Sequence, residues 1–295
     1  MSNLFFKKII NMEKEAVNKK VWQEGYTQTY AKIPPPFVPS KKHIAACVKI
    51  LKSIKKKSGN KALVLGCTPA VRDCLAKIKF KVTLLEFSQN MVETMNGLRK
   101  IESKEKIING LWTEATKYFL PKTFDCVIGH AVTNNLVNLE LYEQFFKAMK
   151  TILKSGGELI ITVTNASPIL QTAESVIEKC KHRPGYFKSL NNKIYIWESC
   201  AYSDPRFYNK KECTTEMNKF NLFLGEKLKN KEITQKEYDL MTFDFYNQPH
   251  RVTMLPEKMF DRLVKKYFII VKKIKEPVKH PAFSKFYTIY QLRKK

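Results

Sequence analysis

The feature that most constrains this chain is a strand–turn–helix–strand pattern between Lys61 and Asn90. A short apolar run, Ala62 to Leu65, breaks at Gly66, and a helical pattern then leads into a second apolar run that closes on Glu86. This order predicts a βαβ unit, the building block of nucleotide-binding α/β folds. Gly66 allows a sharp turn and a close approach of a ligand to the backbone. Glu86 falls at the end of the second strand, where a carboxylate can accept hydrogen bonds from ribose hydroxyls.

The turn of this unit has a single glycine, because Cys67, Thr68 and Pro69 occupy its other positions. Dinucleotide sites use three glycines, since a pyrophosphate must lie against bare backbone at a helix N-terminus. A nucleoside ligand without phosphates tolerates the crowded turn better. The alternative is an ordinary α/β protein whose βαβ unit binds no ligand.

The alternation of helix and strand continues after Glu86. Helical patterns cover Ser88 to Lys100 and Leu139 to Lys154, and apolar runs predict strands at Lys106 to Asn109, Phe124 to His130 and Glu158 to Thr164. Near the end, a helix is expected from Pro256 to Lys266 and strands from Tyr267 to Ile274 and from Phe283 to Leu292.

The last two strands are joined by a short loop and must therefore be antiparallel neighbours. We predict an α/β fold with a doubly wound, mostly parallel seven-stranded sheet, an antiparallel last strand and a helical cap insertion. An NAD-binding fold would have a parallel strand in that position.

Residues 167–250 interrupt the alternation and predict the cap. Helical patterns cover Ile169 to Cys180 and Lys211 to Leu228, and Thr234 with Glu237 has the spacing of a capping box. We therefore expect an N-terminal helical lid segment at 1–40, a core formed by 41–166 and 251–295, and the cap at 167–250. In the lid, aromatic residues recur at a spacing that puts them on one helical face, either as core or as a cover for a ligand: Trp22, Tyr26 and Tyr30.

Three segments together resemble a known family. Residues 65–69 (LGCTP) resemble motif I of the class I S-adenosylmethionine-dependent methyltransferases, in a variant where Thr-Pro replaces the usual Gly-x-Gly. Residues 124–130 (FDCVIGH) resemble the fourth strand of the family, and residues 153–165 (LKSGGELIITVTN) its fifth. The resemblance covers roughly residues 40–165 and 255–293.

Seven cysteines without a Cys-x-x-Cys pair favour reduced thiols and a cytoplasmic protein. The resemblance implies a transferase that uses S-adenosyl-L-methionine, and it implies where the cofactor lies. The ribose is expected on Glu86, the methionine part along Gly66 to Thr68, and the adenine between Asn109 and Trp112. The full set of expected cofactor-binding residues is Leu65, Gly66, Cys67, Thr68, Arg72, Glu86, Phe87, Met91, Asn109, Gly110, Leu111, Trp112, Gly129, His130 and Ala131.

Methyl transfer from S-adenosylmethionine needs few catalytic side chains, because the methyl group on a sulfonium is already activated. The protein mainly aligns the acceptor behind that methyl group. His130 is the candidate general base; the alternative is a role in positioning the ligand or capping a helix. His43, His182, His250 and His280 are interpreted as surface or loop residues. Candidate substrate contacts are Trp22, Tyr26, Tyr30 and Asn134, and no metal site is expected.

The net charge of +26 indicates a polyanionic partner, yet only seven of the 53 cationic residues are Arg, the residue that nucleic-acid readers favour. The lysines can equally reflect composition alone. No apolar run approaches the ~20 residues that span a bilayer. We predict transfer of a methyl group to a small-molecule, possibly anionic, acceptor by in-line displacement, with no membrane partner. The alternatives are an RNA methyltransferase that holds nucleic acid on its lysines, and a non-catalytic binding protein with the same fold.

Overall fold

The computed structural model describes residues 38–57, 59–166, 170–181, 196, 199–201, 203–216, 218–242, 251–275 and 287–295. The predicted lid with Trp22, Tyr26 and Tyr30 falls outside these residues, apart from its last three positions. His182, His250 and His280 also lie outside them.

The helices and strands follow the predicted alternation. The strands of the described chain are β1 (Lys61–Leu65), β2 (Lys81–Glu86), β3 (Glu105–Asn109), β4 (Phe124–His130), β5 (Leu153–Thr164), β6 (Tyr208–Asn209), β7 (Thr214–Glu216), β8 (Arg251–Thr253), β9 (Phe268–Lys275) and β10 (Tyr287–Lys294). Its helices are α1 (Lys41–Lys57), α2 (Pro69–Lys77), α3 (Gln89–Gly97), α4 (Ala115–Tyr118), α5 (Leu139–Ile152), α6 (Ala173–Lys181), α7 (Lys219–Lys229), α8 (Gln235–Met241) and α9 (Glu257–Lys265), with single 3-10 turns at Trp112–Glu114 and Thr133–Asn135.

Seven of the described strands form one sheet in the order β3-β2-β1-β4-β5-β10-β9. Strands β1 to β5 are parallel, and β10 lies antiparallel to both β5 and β9. This is the predicted doubly wound sheet with an antiparallel last strand, and the prediction is confirmed. Strand β4 is buried along its whole length, as expected of a central parallel strand covered on both faces.

The sheet separates two hydrophobic cores. On one face the buried residues of α1, α2 and α3 pack against it, among them Leu51, Leu75 and Met95. On the other face α5, α9 and the cap share a single core. Because all helices lie on the faces, the two edges at which the strands begin and end are left to loops.

Strand β5 begins earlier than the sequence predicted. The strand extends back to Leu153, which pairs with Phe124 of β4, but regular pairing resumes only at Glu158, opposite Cys126. Lys154 to Gly157 therefore interrupt the ladder as an irregular stretch in which Gly156 takes a positive φ of 69°. Regular pairing thus begins at Glu158, the residue at which the sequence predicts the strand to start.

The cap contains strands that the sequence did not reveal. The first half of the helix predicted from Lys211 to Leu228 is wrong: Thr214–Glu216 forms β7, which pairs with β6 and with β8 in a three-stranded sheet. Its partner β8 comes 35 residues later in the sequence, so local periodicity gives no sign of the pairing. The capping box is confirmed, since Thr234 and Glu237 bond each other's backbone N–H groups. None of the helices in the described chain is both long and apolar enough to cross a membrane.

Candidate functional site

The carboxyl ends of β1 to β4 bring three side chains around Gly66. Gly66 has a positive φ of 75°, and its N–H donates to the carbonyl of Leu85 at 3.1 Å. A Cβ built on Gly66 would lie 3.8 Å from Glu86 Oε2, 3.8 Å from Trp112 Cζ2 and 4.0 Å from Val132 Cγ1. Four adjacent strands thus deliver a bare backbone, a carboxylate, an indole and an apolar wall to one place.

Glu86 is 5% exposed, and its two carboxylate oxygens differ in their partners. Oε1 accepts the N–H groups of Phe87 at 2.9 Å and Ser88 at 3.0 Å. Among the described residues none donates a hydrogen bond to Oε2. Burial raises the pKa of Glu86 to about 7, and the two backbone donors oppose that rise only in part. The site therefore holds a desolvated carboxylate with one oxygen available to a ligand hydroxyl.

The side opposite Glu86 is formed by the segment after β3. The Trp112 indole N–H donates to the carbonyl of Leu85 at 2.9 Å, which fixes the ring, and the Phe87 ring meets it edge-on at 6.3 Å. Gly110 donates its N–H to the carbonyl of Glu86, and any side chain there would overlap the Tyr118 ring. Gly110 is thus required by packing, while Trp112 offers a half-buried aromatic face.

Comparison with known proteins agrees with this geometry. The sequence model of the family described as "Methyltransferase domain" matches residues 63–161, which contain β1 to β4 and most of β5. Residues 63–161 thus form a methyltransferase domain, consistent with the class I S-adenosylmethionine-dependent family that the sequence resembles. S-adenosylmethionine is accordingly its cofactor. No curated protein matches the sequence significantly.

Solved structures share the fold of the methyltransferase domain at low identity. An S-adenosylmethionine-dependent methyltransferase from Clostridium acetobutylicum superposes with a TM-score of 0.56 at 13% identity, covering 91% of this chain and 97% of that one. The N-methyltransferase NodS from Bradyrhizobium japonicum, in complex with S-adenosyl-l-homocysteine, gives 0.51 at 10%, covering 94% and 98%. A putative zinc-dependent alcohol dehydrogenase from Rhodobacter sphaeroides gives 0.59 at 15%, covering 95% and 99%. At such identities these likenesses show the fold alone.

The structure gathers most of the predicted cofactor residues of the methyltransferase domain at this one edge. They lie at or just after the ends of β1 to β4: Leu65, Gly66, Cys67, Thr68, Glu86, Phe87, Asn109, Gly110, Leu111, Trp112, Gly129, His130 and Ala131. Met91 is buried in the first turn of α3, where its N–H donates to the capping Ser88 hydroxyl. Asn109 is exposed at the end of β3.

The Arg72 side chain lies away from Gly66 and Glu86. Its Nε and Nη2 donate to Glu105 Oε2 at 2.9 and 2.6 Å, and Nη2 also reaches Asn96 at 2.6 Å. Glu105 pairs in register with Val82 at the start of β2, the opposite end of these strands from Glu86. The predicted contact of Arg72 with the cofactor therefore finds no support in the structure, because its guanidinium is held by an ion pair between α2 and β3.

His130 closes β4 and contacts a second imidazole that sequence reasoning missed. The ring of His43 meets that of His130 at a centroid distance of 5.0 Å and an angle of 76°, and His43 Nε2 lies 3.2 Å from Thr162 Oγ1. The interpretation of His43 as a surface residue was wrong, since it is 3% exposed. The sequence does contain a signal that His43 is buried. It continues the helical spacing of the buried residues of α1, namely Cys47, Ile50, Leu51 and Ile54.

Asn134 ties the core to the cap. Its Nδ2 donates to the carbonyls of Thr164 at 2.9 Å and Thr253 at 3.2 Å, and its Oδ1 accepts the N–H of Thr164 at 3.1 Å. These bonds use both amide protons, which argues against the predicted substrate contact. Val132, which was not predicted, lies nearer the site, and Gly129 is needed because a Cβ there would approach Val132 to 2.9 Å.

Proposed function

We propose that this methyltransferase transfers the methyl group of S-adenosylmethionine to a small-molecule acceptor by in-line displacement. The observation that carries the proposal is the convergence of Gly66, Glu86 Oε2 and Trp112 at the carboxyl edge of the sheet. Open α/β sheets bind ligands at this edge, beside the point where strand order reverses. Here that point lies between β1 and β4.

Each part of the cofactor has a partner of fitting chemistry in this proposal. Glu86 Oε2 accepts from a ribose hydroxyl, Trp112 and Phe87 supply aromatic surface for the adenine, and the Gly66 turn passes along the methionine part. Backbone without a Cβ at Gly66 leaves room for that approach.

His130 stands where an acceptor would meet the methyl group. A neutral imidazole there can take the proton that an N–H or O–H acceptor releases on methylation. The buried ring of His43 packs edge-on against it at a centroid distance of 5.0 Å.

The charge of the surrounding loops favours a small acceptor over a nucleic acid. The described loop residues after β1 to β5 are 66–68, 87–88, 110–111, 131–138, 165–166 and 170–172, and none of these positions is Lys or Arg. A nucleic-acid substrate needs cations around the target to neutralise its backbone. Among the proteins of like fold, one is named a magnesium protoporphyrin IX methyltransferase, at a TM-score of 0.51 and 9% identity, so a small acceptor suits this fold.

Calorimetry tests the cofactor assignment. Wild-type protein should bind S-adenosylmethionine and S-adenosylhomocysteine, and Glu86→Ala should lower the affinity at least tenfold, since hydrogen bonds to a charged group are worth about 1.5–3 kcal/mol each. Glu93→Ala, at an exposed position of α3, is the matched control and should bind normally. Unchanged binding by Glu86→Ala, or a wild-type preference for NAD, would refute the proposal.

The acceptor class is tested by a crystal structure with S-adenosylhomocysteine. If its sulfur faces a closed cavity with aromatic walls, the small-molecule proposal stands. An open groove lined with lysines and leading to the sulfur would contradict it and favour the RNA methyltransferase.

A further inference from the structure

A row of lysines lies at the amino-terminal edge of the sheet, opposite the cofactor edge. Six neighbouring strands each place one lysine there, at or next to the start of β3, β2, β1, β4 and β5 and at the end of the antiparallel β10. In sheet order these residues, which we name the lysine edge, are Lys104, Lys81, Lys61, Lys122, Lys154 and Lys294.

Most of this charge is not neutralised. Lys61, Lys81, Lys104 and Lys122 are exposed, and no carboxylate among the described residues lies within ion-pair distance of them. Lys154 is the exception, at 2.7 Å from Asp125.

The two carboxylates that β3 and β5 themselves carry at this edge are already paired with arginines. Glu105 pairs with Arg72 and Arg99, and Glu158 pairs with Arg293. The edge therefore presents its lysines to solvent as net positive charge.

The ammonium group of Lys294 lies close enough to two other lysines to feel their positive charge. Burial and the neighbouring Lys122 and Lys150 lower the pKa of Lys294, whose Nζ donates to the carbonyl of Leu153 at 2.6 Å. The backbone N–H of Lys122 donates to Thr151 at 3.0 Å, which brings the two chain segments together. Repulsion of this kind costs stability in the free protein and is relieved by a bound anion.

We propose that the lysine edge binds the phosphate backbone of a single-stranded nucleic acid, which is a partner and not the methyl acceptor. Adjacent strands lie about 4.8 Å apart, so six lysines on neighbouring strands form a row about 24 Å long. A linear row of point charges matches a linear polyanion. Among the described residues, the loops at the carboxyl ends of β1 to β5 contain no Lys or Arg, so they offer the bound strand no cationic path toward the cofactor edge.

The chemistry of the row indicates binding without sequence preference. Lys holds phosphate as a point charge, whereas base reading uses the planar fork of Arg or stacking on aromatic rings. The exposed ring of Tyr118 lies beside Gly110, at the cofactor edge and away from the row. The competing occupant is an anionic membrane, for which the 79% exposed Leu120, two residues before Lys122, is the feature of interest.

Fluorescence anisotropy with a labelled uridine oligonucleotide of about 20 nucleotides tests the proposal. In a plot of log affinity against log salt concentration, each phosphate contact with a single strand contributes about −0.7 to the slope. The triple variant Lys61→Gln, Lys81→Gln, Lys122→Gln should lower the affinity at least tenfold and reduce the slope by about 2 units. A control triple in the cap, Lys229→Gln, Lys231→Gln, Lys236→Gln, removes the same charge from exposed positions and should keep the wild-type slope.

Calorimetry distinguishes a failure of this proposal from a failure of the cofactor assignment, because the lysine triple variant should bind S-adenosylmethionine as the wild type does. Equal losses in both triples would show that only net charge matters and would overturn the proposal. So would wild-type binding to phosphatidylserine vesicles without binding to the oligonucleotide, which would assign the edge to a membrane.

Discussion

At the scale of single residues, the site holds a carboxylate at a cost to the fold. Burial of Glu86 raises its pKa from 4.5 to about 7. A buried acid that two backbone N–H groups only partly compensate destabilises the protein whenever it is ionised. The cofactor contact that we propose for Glu86 is thus set against the stability of the fold.

Glu86→Gln should reveal that cost as a pH dependence of stability. Because the folded-state pKa is above the unfolded one, the contribution of Glu86 is fully present below about pH 4.5 and is lost as the pH rises through about 7. Gln cannot ionise, so at pH 8 the variant should be more stable by up to about 3 kcal/mol, and near pH 4.5 it should match the wild type. Urea unfolding at both pH values measures this; an equal difference at both would contradict it.

Gly66→Ala should separate backbone strain from obstruction of the ligand. Gly66 and Gly156 both have positive φ, 75° and 69°, so Ala strains each backbone by about 1 kcal/mol. Only at Gly66 does the new Cβ enter the space between Glu86 and Trp112, whereas nothing lies within 4 Å of one at Gly156. Both variants should lose similar stability, but only Gly66→Ala should lose cofactor affinity, as calorimetry beside thermal unfolding would show. Normal binding by Gly66→Ala would remove the turn from the site.

At the scale of helices and strands, the site depends on ties between elements distant in sequence. Asn134 joins β5 to the end of β8, and Arg72 joins α2 to the start of β3 through Glu105. The Arg72–Glu105 tie lies at the opposite end of the strands from Glu86, so it holds α2 and β3 together without touching a ligand at the cofactor edge.

Glu105→Ala should destabilise the protein by about 3–5 kcal/mol, because it leaves the Arg72 guanidinium buried without its partner. Glu232→Ala, which breaks the exposed pair with Lys227, is the control and should change little. Chemical denaturation compares the two.

Arg72→Met tests whether Arg72 contacts the cofactor. The variant should keep its cofactor affinity under conditions in which it remains folded. A selective loss of cofactor binding would show that Arg72 belongs to the cofactor site after all.

At the scale of the whole molecule, charge divides between the two edges of one sheet. The loops of the cofactor edge carry no Lys or Arg, and the opposite edge carries a row of lysines. The net charge of +26 is the most unusual feature of the composition, but it therefore gives little information about the methyl acceptor.

Salt should weaken oligonucleotide binding at the lysine edge and leave cofactor binding at the opposite edge almost unchanged. Between 50 and 200 mM salt, we expect the dissociation constant for S-adenosylmethionine to change by less than about twofold, because screening affects exposed charges and the Glu86 site is buried. Oligonucleotide affinity should fall by more than about tenfold over the same range. Parallel titrations by calorimetry and anisotropy compare them; a steep salt dependence of cofactor binding would contradict the division.

The sequence by itself determined the order of strands and helices, the antiparallel last strand and the positions of Gly66 and Glu86. These features are encoded locally, by apolar periodicity, a glycine at a turn and an acid at a strand end. The Thr234–Glu237 capping box could be read for the same reason, since its partners are three residues apart.

Only the tertiary structure decided the contacts between distant segments. The packing of His43 on His130, the pairing of β7 with β8 and the capture of Arg72 by Glu105 each join residues far apart in the chain. The sequence places a residue on an element, but the partner of a buried polar group depends on which elements the sheet brings together. That is why the sequence led to a surface position for His43 and to a cofactor contact for Arg72.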